Sequence, residues 1–108
     1  MLVNNKKILN LLGLAMRAGK IKYGNESCIE SINKSKVKLV ILASDASERT
    51  KTNFKQLCAN KKISIYEFSN MDEISHAIGK QNKVVIGVCD ENFSNEIIKI
   101  LNGGEVIG

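Results

Sequence analysis

The sequence has no proline, no tryptophan and a single histidine among its 108 residues, and aromatic residues make up only 5% of it. Without proline or a low-complexity segment to mark a linker, we expect residues 1–108 to form one domain. The apolar runs are much shorter than the roughly 20 residues that a membrane-spanning helix needs. Polar residues follow the first three positions at once, so we expect no signal peptide. These absences favour a soluble, cytoplasmic protein without membrane contact.

The motifs of common catalytic and metal sites are also missing. The chain contains no G-x-G-x-x-G, no G-x-x-x-x-G-K-[ST] and no G-x-S-x-G. Its cysteines, Cys28, Cys58 and Cys89, are far apart and form no C-x-x-C pair, so we interpret them as small buried hydrophobes in a reducing compartment. We interpret His76 as a surface or boundary residue. We therefore expect neither an enzyme nor a bound metal or cofactor.

Positive charge is concentrated in the first third of the chain. Residues 1–38 carry eight lysines and arginines against two glutamates, whereas the remainder carries nearly equal numbers of both signs. The formal net charge is +5 and the pI is about 9.2. Clustered lysines of this kind are typical of nucleic-acid-binding proteins, although a solvated, lysine-rich surface gives the same composition.

Residues 37–43 form an almost continuous apolar run that only Lys38 interrupts. Such a run predicts a strand covered on both faces at the centre of a sheet. A Ser-Asp-Ala-Ser turn follows, in which Asp45 and Glu48 have the spacing of a capping box for the next helix. Because ligands bind beyond the carboxyl ends of strands in α/β sheets, we expect the turn after Ala43 to lie near the functional site.

Hydrophobic periodicity places helices and strands in alternation along the chain. We expect Gly19 to end the first helix, Asn25 to cap the second, and Asn70 with Glu73 to open the fourth. The predicted helices cover residues 4–18, 25–34, 47–60, 70–79 and 93–101, and the predicted strands cover 20–23, 37–43, 63–68 and 84–89. This alternation predicts an α/β protein, a three-layer α/β/α sandwich with a four-stranded, mostly parallel central sheet. Residues 103–108 are expected to form a loose tail.

Three polar segments of this predicted fold suit a ligand with phosphates. The junction at residues 24–26 exposes backbone N–H groups and the positive end of a helix dipole. Lys20 and Lys22 lead into the junction, and we expect the turn at 44–47 and the loop at 80–83 to lie beside it. Their cationic and polar side chains suit the phosphate backbone of a nucleic acid.

Five segments also carry a family resemblance, and they span nearly the whole chain. They are residues 11–20 (LLGLAMRAGK), Gly24, residues 36–47 (KVKLVILASDAS), residues 74–79 (ISHAIG) and residues 84–89 (VVIGVC). In this order and spacing they resemble the kink-turn RNA-binding ribosomal protein family, the L7Ae/L30e superfamily, and within it the bacterial YlxQ-like branch. The resemblance implies a monomeric, non-enzymatic domain that binds structured RNA of the kink-turn type, as a ribosome-associated protein that contacts ribosomal RNA.

The resemblance also implies which residues meet the RNA. The start of the second helix would face the RNA, lysines before and after that helix would contact phosphates, and two neighbouring loops would line the sides. The implicated residues are Lys20, Lys22, Gly24, Asn25, Glu26, Ser27, Glu30, Lys36, Asp45, Ala46, Lys80, Gln81, Asn82 and Lys83.

Two registers of the family's recognition motif are possible. The motif is G-x-N-E followed three residues later by Lys, and its Asn, Glu and Lys contact guanines. Without a gap, Glu26 stands at the Asn, Ser27 at the Glu and Glu30 at the Lys. The alternative keeps Asn25 and Glu26 as the Asn-Glu pair, places Ile29 at the Lys and needs an extra residue downstream. We favour the ungapped register, and in both registers the guanine-reading lysine is absent.

The absent lysine keeps a second hypothesis open, in which the chain is a protein-interaction module that retains the fold and has lost sequence-specific RNA readout. Absorbance at 260 nm that high salt removes from the purified protein would distinguish RNA binding from this alternative.

Overall fold

The computed structural model describes residues 5–103, over which helices and strands alternate as predicted. The elements are α1 (Asn5–Arg17), β1 (Ile21–Tyr23), α2 (Asn25–Asn33), β2 (Leu39–Leu42), α3 (Glu48–Lys61), β3 (Ser64–Glu67), α4 (Met71–Ala77), β4 (Val85–Val88) and α5 (Glu91–Leu101). The predicted start of α1 at residue 4 and residues 104–108 of the predicted tail lie outside the described residues. Within residues 5–103, no helix combines the length and the apolar character needed to cross a bilayer.

The four strands form one mixed sheet in the order β1-β4-β2-β3. Strand β4 is antiparallel to both of its neighbours, and only β2 and β3 pair in parallel. The prediction of a mostly parallel sheet is therefore wrong, although the strand at residues 37–43 does occupy an interior position.

The short helix α4 explains why β4 runs against its neighbours. Helix α3 has 14 residues and returns the chain along the sheet, so β3 starts level with β2 and runs parallel to it. Helix α4 has only seven residues, a rise of about 10 Å, and the loop after it delivers the chain to the end of the sheet where β3 finished. Val85, the first residue of β4, accordingly pairs with Leu42, the last residue of β2.

Apolar side chains fill both faces of the sheet and give the predicted three layers. Helices α1, α4 and α5 cover one face, where Leu12 and Ile97 pack with Ile41 of β2. Helices α2 and α3 cover the other face, where Ile32 and Phe54 belong to the second cluster. Because successive side chains of β2 point to opposite faces, all four of its residues are buried.

The predicted ends of α1 and α4 agree with the structure. Gly19 has φ +75°, and the amides of Gly19 and Lys20 donate to the carbonyls of Met16 and Ala15, at 3.0 and 2.9 Å, which is a Schellman motif. Asn70 caps α4 because its Oδ1 accepts from the Glu73 amide at 2.9 Å.

Candidate nucleic-acid interface

Three segments meet at the end of the sheet where β1 and β2 finish and β4 begins. The Gly24 amide donates to the Val85 carbonyl at 3.1 Å, and the Ala43 amide donates to the Val84 carbonyl at 2.8 Å. The start of α2 and the turn after β2 therefore flank the loop that enters β4. We call these segments, residues 24–27, 44–46 and 80–83, the candidate RNA interface. The structure brings together the junction and the two loops that the sequence singled out.

The N-terminus of α2 has no capping side chain. Gly24 is the N-cap, with φ 87° and ψ 157°, and no side chain in the part of the chain that the structure describes forms a capping hydrogen bond there. The prediction that Asn25 caps this helix is wrong, since Asn25 is already the first helical residue. Asn25 and Glu26 are both exposed. The uncapped amides and these two side chains offer donors and acceptors at the positive end of the helix.

The turn after β2 is tied to α4 and does not cap α3 through Asp45. Asp45 Oδ1 accepts from the backbone amide of Met71 at 2.9 Å, whereas Ser47 caps α3 by accepting from the Thr50 amide at 3.1 Å. The prediction of an Asp45–Glu48 capping box is therefore wrong. Asp45 instead accepts from an otherwise unpaired backbone amide at the N-terminus of α4, which lies 26 residues further along the chain. This bond holds the turn in place. Ala46 is 7% exposed, so its side chain packs on the buried side of the turn.

Replacing Asp45 with alanine should destabilise the fold by about 1 kcal/mol, because a helix N-terminal amide loses its acceptor. Asp45→Asn keeps an acceptor oxygen at the same position and should lose much less. Urea denaturation of the two variants and the parent measures the difference. Equal midpoints for Asp45→Ala and the parent would show that the bond to Met71 contributes nothing.

The loop at residues 80–83 is anchored by a buried hydroxyl of α4. Ser75 is 3% exposed; its Oγ accepts from the Lys83 amide at 2.8 Å and donates to the Lys83 carbonyl at 3.1 Å. The Lys80 amide donates to the Ser75 carbonyl at 2.9 Å, and Gln81 and Asn82 between them are exposed. The loop thus has fixed ends and a polar, exposed centre.

An aromatic ring connects this loop with the start of α2. The Nζ atoms of Lys80 and Lys83 lie 5.1 and 5.6 Å from the ring centroid of Tyr23, the last residue of β1. Both distances are in the range of cation–π attraction. Sequence reasoning missed Tyr23 and Ser75, and the only signal for Tyr23 was an aromatic residue directly before the Gly24 junction.

We expect Tyr23→Leu to weaken RNA binding about three- to fivefold, because two lysines lose the ring that orders them, worth about 0.5–1 kcal/mol at an exposed site. Tyr23→Phe keeps the ring and should bind like the parent. Filter-binding titrations of the three proteins make the comparison. If Tyr23→Phe lost as much affinity as Tyr23→Leu, the hydroxyl and not the ring would matter.

The three predicted phosphate-binding lysines lie apart from the candidate RNA interface. Lys20 precedes β1 at the opposite end of the sheet, where its carbonyl accepts from the Cys89 amide at 2.8 Å. Lys36 follows the C-terminus of α2, and Lys22 pairs with Gly87 within the sheet. Glu30 is exposed on α2 and forms an ion pair of 3.2 Å with Lys34. The structure thus does not bring the three predicted phosphate-binding lysines to the start of α2.

The cysteine thiols have the structural character that the sequence indicated. Burial raises the pKa of Cys28 to about 12 and that of Cys58 to about 11. Burial also raises the pKa of the half-buried Cys89, although nearby lysines oppose this change. All three are free thiols and carry their protons at neutral pH, which makes them poor nucleophiles.

A family model matches residues 6–98 of the chain, and its description is the ribosomal protein L7Ae/L30e/S12e/Gadd45 family. The chain belongs to this family. The RNA-binding protein YlxQ of Enterococcus faecium is 39% identical over 100 residues, which cover 93% of this chain and 96% of that protein. The large ribosomal subunit protein eL8 of Thermoplasma volcanium is 27% identical and is covered over 79% of its length, against 88% of this chain.

A solved structure of a Bacillus halodurans protein of unknown function superimposes with a TM-score of 0.86 at 38% sequence identity. The match covers 89% of this chain and 97% of that one. The family model and the YlxQ relative confirm the predicted membership of the L7Ae/L30e family and of its YlxQ-like branch.

Proposed function

We propose that this protein binds structured RNA of the kink-turn type through the candidate RNA interface, as a monomeric, cytoplasmic protein that associates with ribosomal RNA. The observation that carries the proposal is the meeting of an uncapped helix N-terminus with two anchored polar loops at one end of the sheet. Relatives named as RNA-binding and ribosomal proteins support it, and none of these names denotes an enzyme.

The chemistry of the candidate RNA interface suits base recognition more than charge neutralisation. Its backbone amides can donate hydrogen bonds to base edges. The side chains of Asn25, Ser27, Gln81 and Asn82 can both donate to and accept from base edges. Lys80 and Lys83 supply positive charge on one side, while Glu26 supplies a carboxylate that can accept from a base amino group. Polar contacts of this kind specify a base, whereas phosphate contacts position the protein.

Titration of the protein against a kink-turn RNA and a plain duplex of equal length tests the proposal. We expect salt-dependent binding to both RNAs and tighter binding to the kink-turn. Absence of binding to either RNA at low salt would contradict the proposal.

A second candidate function is a protein-interaction module of the same fold. It is favoured by the exposed Glu30–Lys34 pair on α2, because in the ungapped register Glu30 stands where a guanine-reading lysine is expected. A carboxylate at that position repels the O6 and N7 acceptors of guanine. Protein purified in low salt without any absorbance excess at 260 nm would favour this candidate.

A further inference from the structure

Six lysines lie at the end of the sheet opposite the candidate RNA interface. Strands β1, β2 and β3 begin at this end and β4 finishes there, because Ile21 and Leu39 both pair with Val88 while Leu39 also pairs with Ser64. We call this surface the lysine end, and its lysines are Lys20, Lys22, Lys36, Lys38, Lys61 and Lys62.

The backbone of the lysine end is fixed by the sheet and by helix ends. The Lys38 amide donates to the Val88 carbonyl at 2.8 Å, and the Lys36 amide donates to the Ser31 carbonyl at 2.9 Å. Lys38 also lines a shallow cleft of about 240 Å³ together with Lys61 and Lys62, so the lysines before β2 and those before β3 share one surface. All six lysines are exposed.

The charges of the lysine end are largely uncompensated. Within residues 5–103, none of the six lysines forms an ion pair, whereas Lys34, Lys51 and Lys55 do. Asp90 and Glu91 are the carboxylates next to this end in sequence, and Asp90 is engaged in capping α5 through the Phe93 amide at 2.8 Å. Four of the eight basic residues of 1–38, namely Lys20, Lys22, Lys36 and Lys38, therefore lie at the end of the sheet opposite the candidate RNA interface.

We propose that the lysine end is a second RNA-binding surface, which holds the phosphate backbone of an RNA double helix without reading its sequence. Three strand spacings separate β1 from β3, so the lysines extend over about 14 Å. A nucleic-acid duplex presents a negative charge every 1.7 Å or so along its axis, so several phosphates fall within that span. Exposed ammonium groups contact phosphates as point charges, and such contacts carry affinity but no sequence information. This inference goes beyond the proposed function because it concerns plain duplex RNA.

The decisive experiment compares two triple variants of equal net charge. Lys20→Gln/Lys36→Gln/Lys38→Gln removes charges from the lysine end, while Lys6→Gln/Arg49→Gln/Lys99→Gln removes exposed charges from α1, α3 and α5. Affinity for a plain duplex is measured over a range of salt concentrations. We expect the first variant to bind at least tenfold more weakly at the lowest salt and to flatten the slope of log K against log salt by about 2–3. The second should flatten it by less than 1.

Equal effects of the two triple variants would overturn the proposal, because net charge alone would then set duplex affinity. An unchanged slope in the first variant would overturn it as well. The ratio of kink-turn to duplex affinity of the parent protein tests the proposed function separately from the lysine end. If the parent shows no kink-turn preference and the first variant still loses duplex binding, the lysine end stands while kink-turn recognition fails.

A single charge reversal gives an independent test. Lys20→Glu should weaken duplex binding several-fold without unfolding the protein, since the Lys20 side chain is exposed and its backbone bond to Cys89 is kept. The thermal unfolding midpoint of this variant should match that of the parent. Unchanged duplex affinity would remove Lys20 from the surface.

Discussion

Replacing Gly24 with alanine should reduce kink-turn affinity at least tenfold and lower the free energy of unfolding by about 1–3 kcal/mol. Gly24 has φ 87° and ψ 157°, a conformation that is essentially restricted to glycine. An added Cβ would have no atom within 4 Å, so the effect arises from backbone strain and not from a steric clash. Relief of that strain would rotate the first turn of α2 and misdirect its uncapped amides.

Gly19→Ala is the matched control for this substitution. Gly19 also has positive φ, at 75°, and also has open space around an added Cβ, but it lies at the other end of β1. Alanine there should lower stability by about 1–2 kcal/mol and leave the ratio of kink-turn to duplex affinity unchanged. Denaturation curves and gel-shift titrations on both variants give the two quantities. A Gly24→Ala protein that keeps the full kink-turn preference would contradict the assignment of this helix start to the RNA.

Replacing Glu30 with lysine should raise affinity for a kink-turn by about tenfold, because a repelling carboxylate becomes a donor to guanine O6 and N7, worth about 1–3 kcal/mol of discrimination. Glu30 is exposed and its pair with Lys34 lies at the surface. Loss of that pair should change stability by no more than about 0.5 kcal/mol. The gain in affinity can therefore be measured in a protein that remains folded.

Ile29→Lys provides the comparison that distinguishes the two registers of the motif. Ile29 is 39% exposed, so a lysine can be placed there with little disturbance of the core. The ungapped register predicts a gain for Glu30→Lys and none for Ile29→Lys, and the alternative register predicts the reverse. Each gain should be seen with kink-turn RNA and be much smaller with plain duplex. If neither variant gains, guanine contact at this turn of α2 is excluded in both registers.

Local sequence signals predicted the elements of this fold well because their causes are local. The apolar run of β2 reflects burial on both faces, and Gly19 ends α1 because glycine adopts positive φ without cost. The direction of a strand depends on where the preceding connection delivers the chain. The alternation of strands and helices indicated neither the short length of α4 nor its position.

The sequence predicted the segments of the candidate RNA interface but not the contacts between them. The three segments follow or precede strands, so they could be placed at strand ends from the sequence. Asp45 bonds to Met71, and Lys80 approaches Tyr23, and both contacts join residues distant in sequence. The sequence grouped Lys20 with Gly24 because they are neighbours along the chain, but β1 separates them by the length of the strand.

Chemical-shift mapping with kink-turn RNA tests the central claim most directly. Amide resonances of the ¹⁵N-labelled protein are followed as the RNA is added in steps. We predict that the largest changes occur in the three segments of the candidate RNA interface, residues 24–27, 44–46 and 80–83. Large changes confined to the outer faces of α1 and α5, with these three segments unchanged, would contradict it.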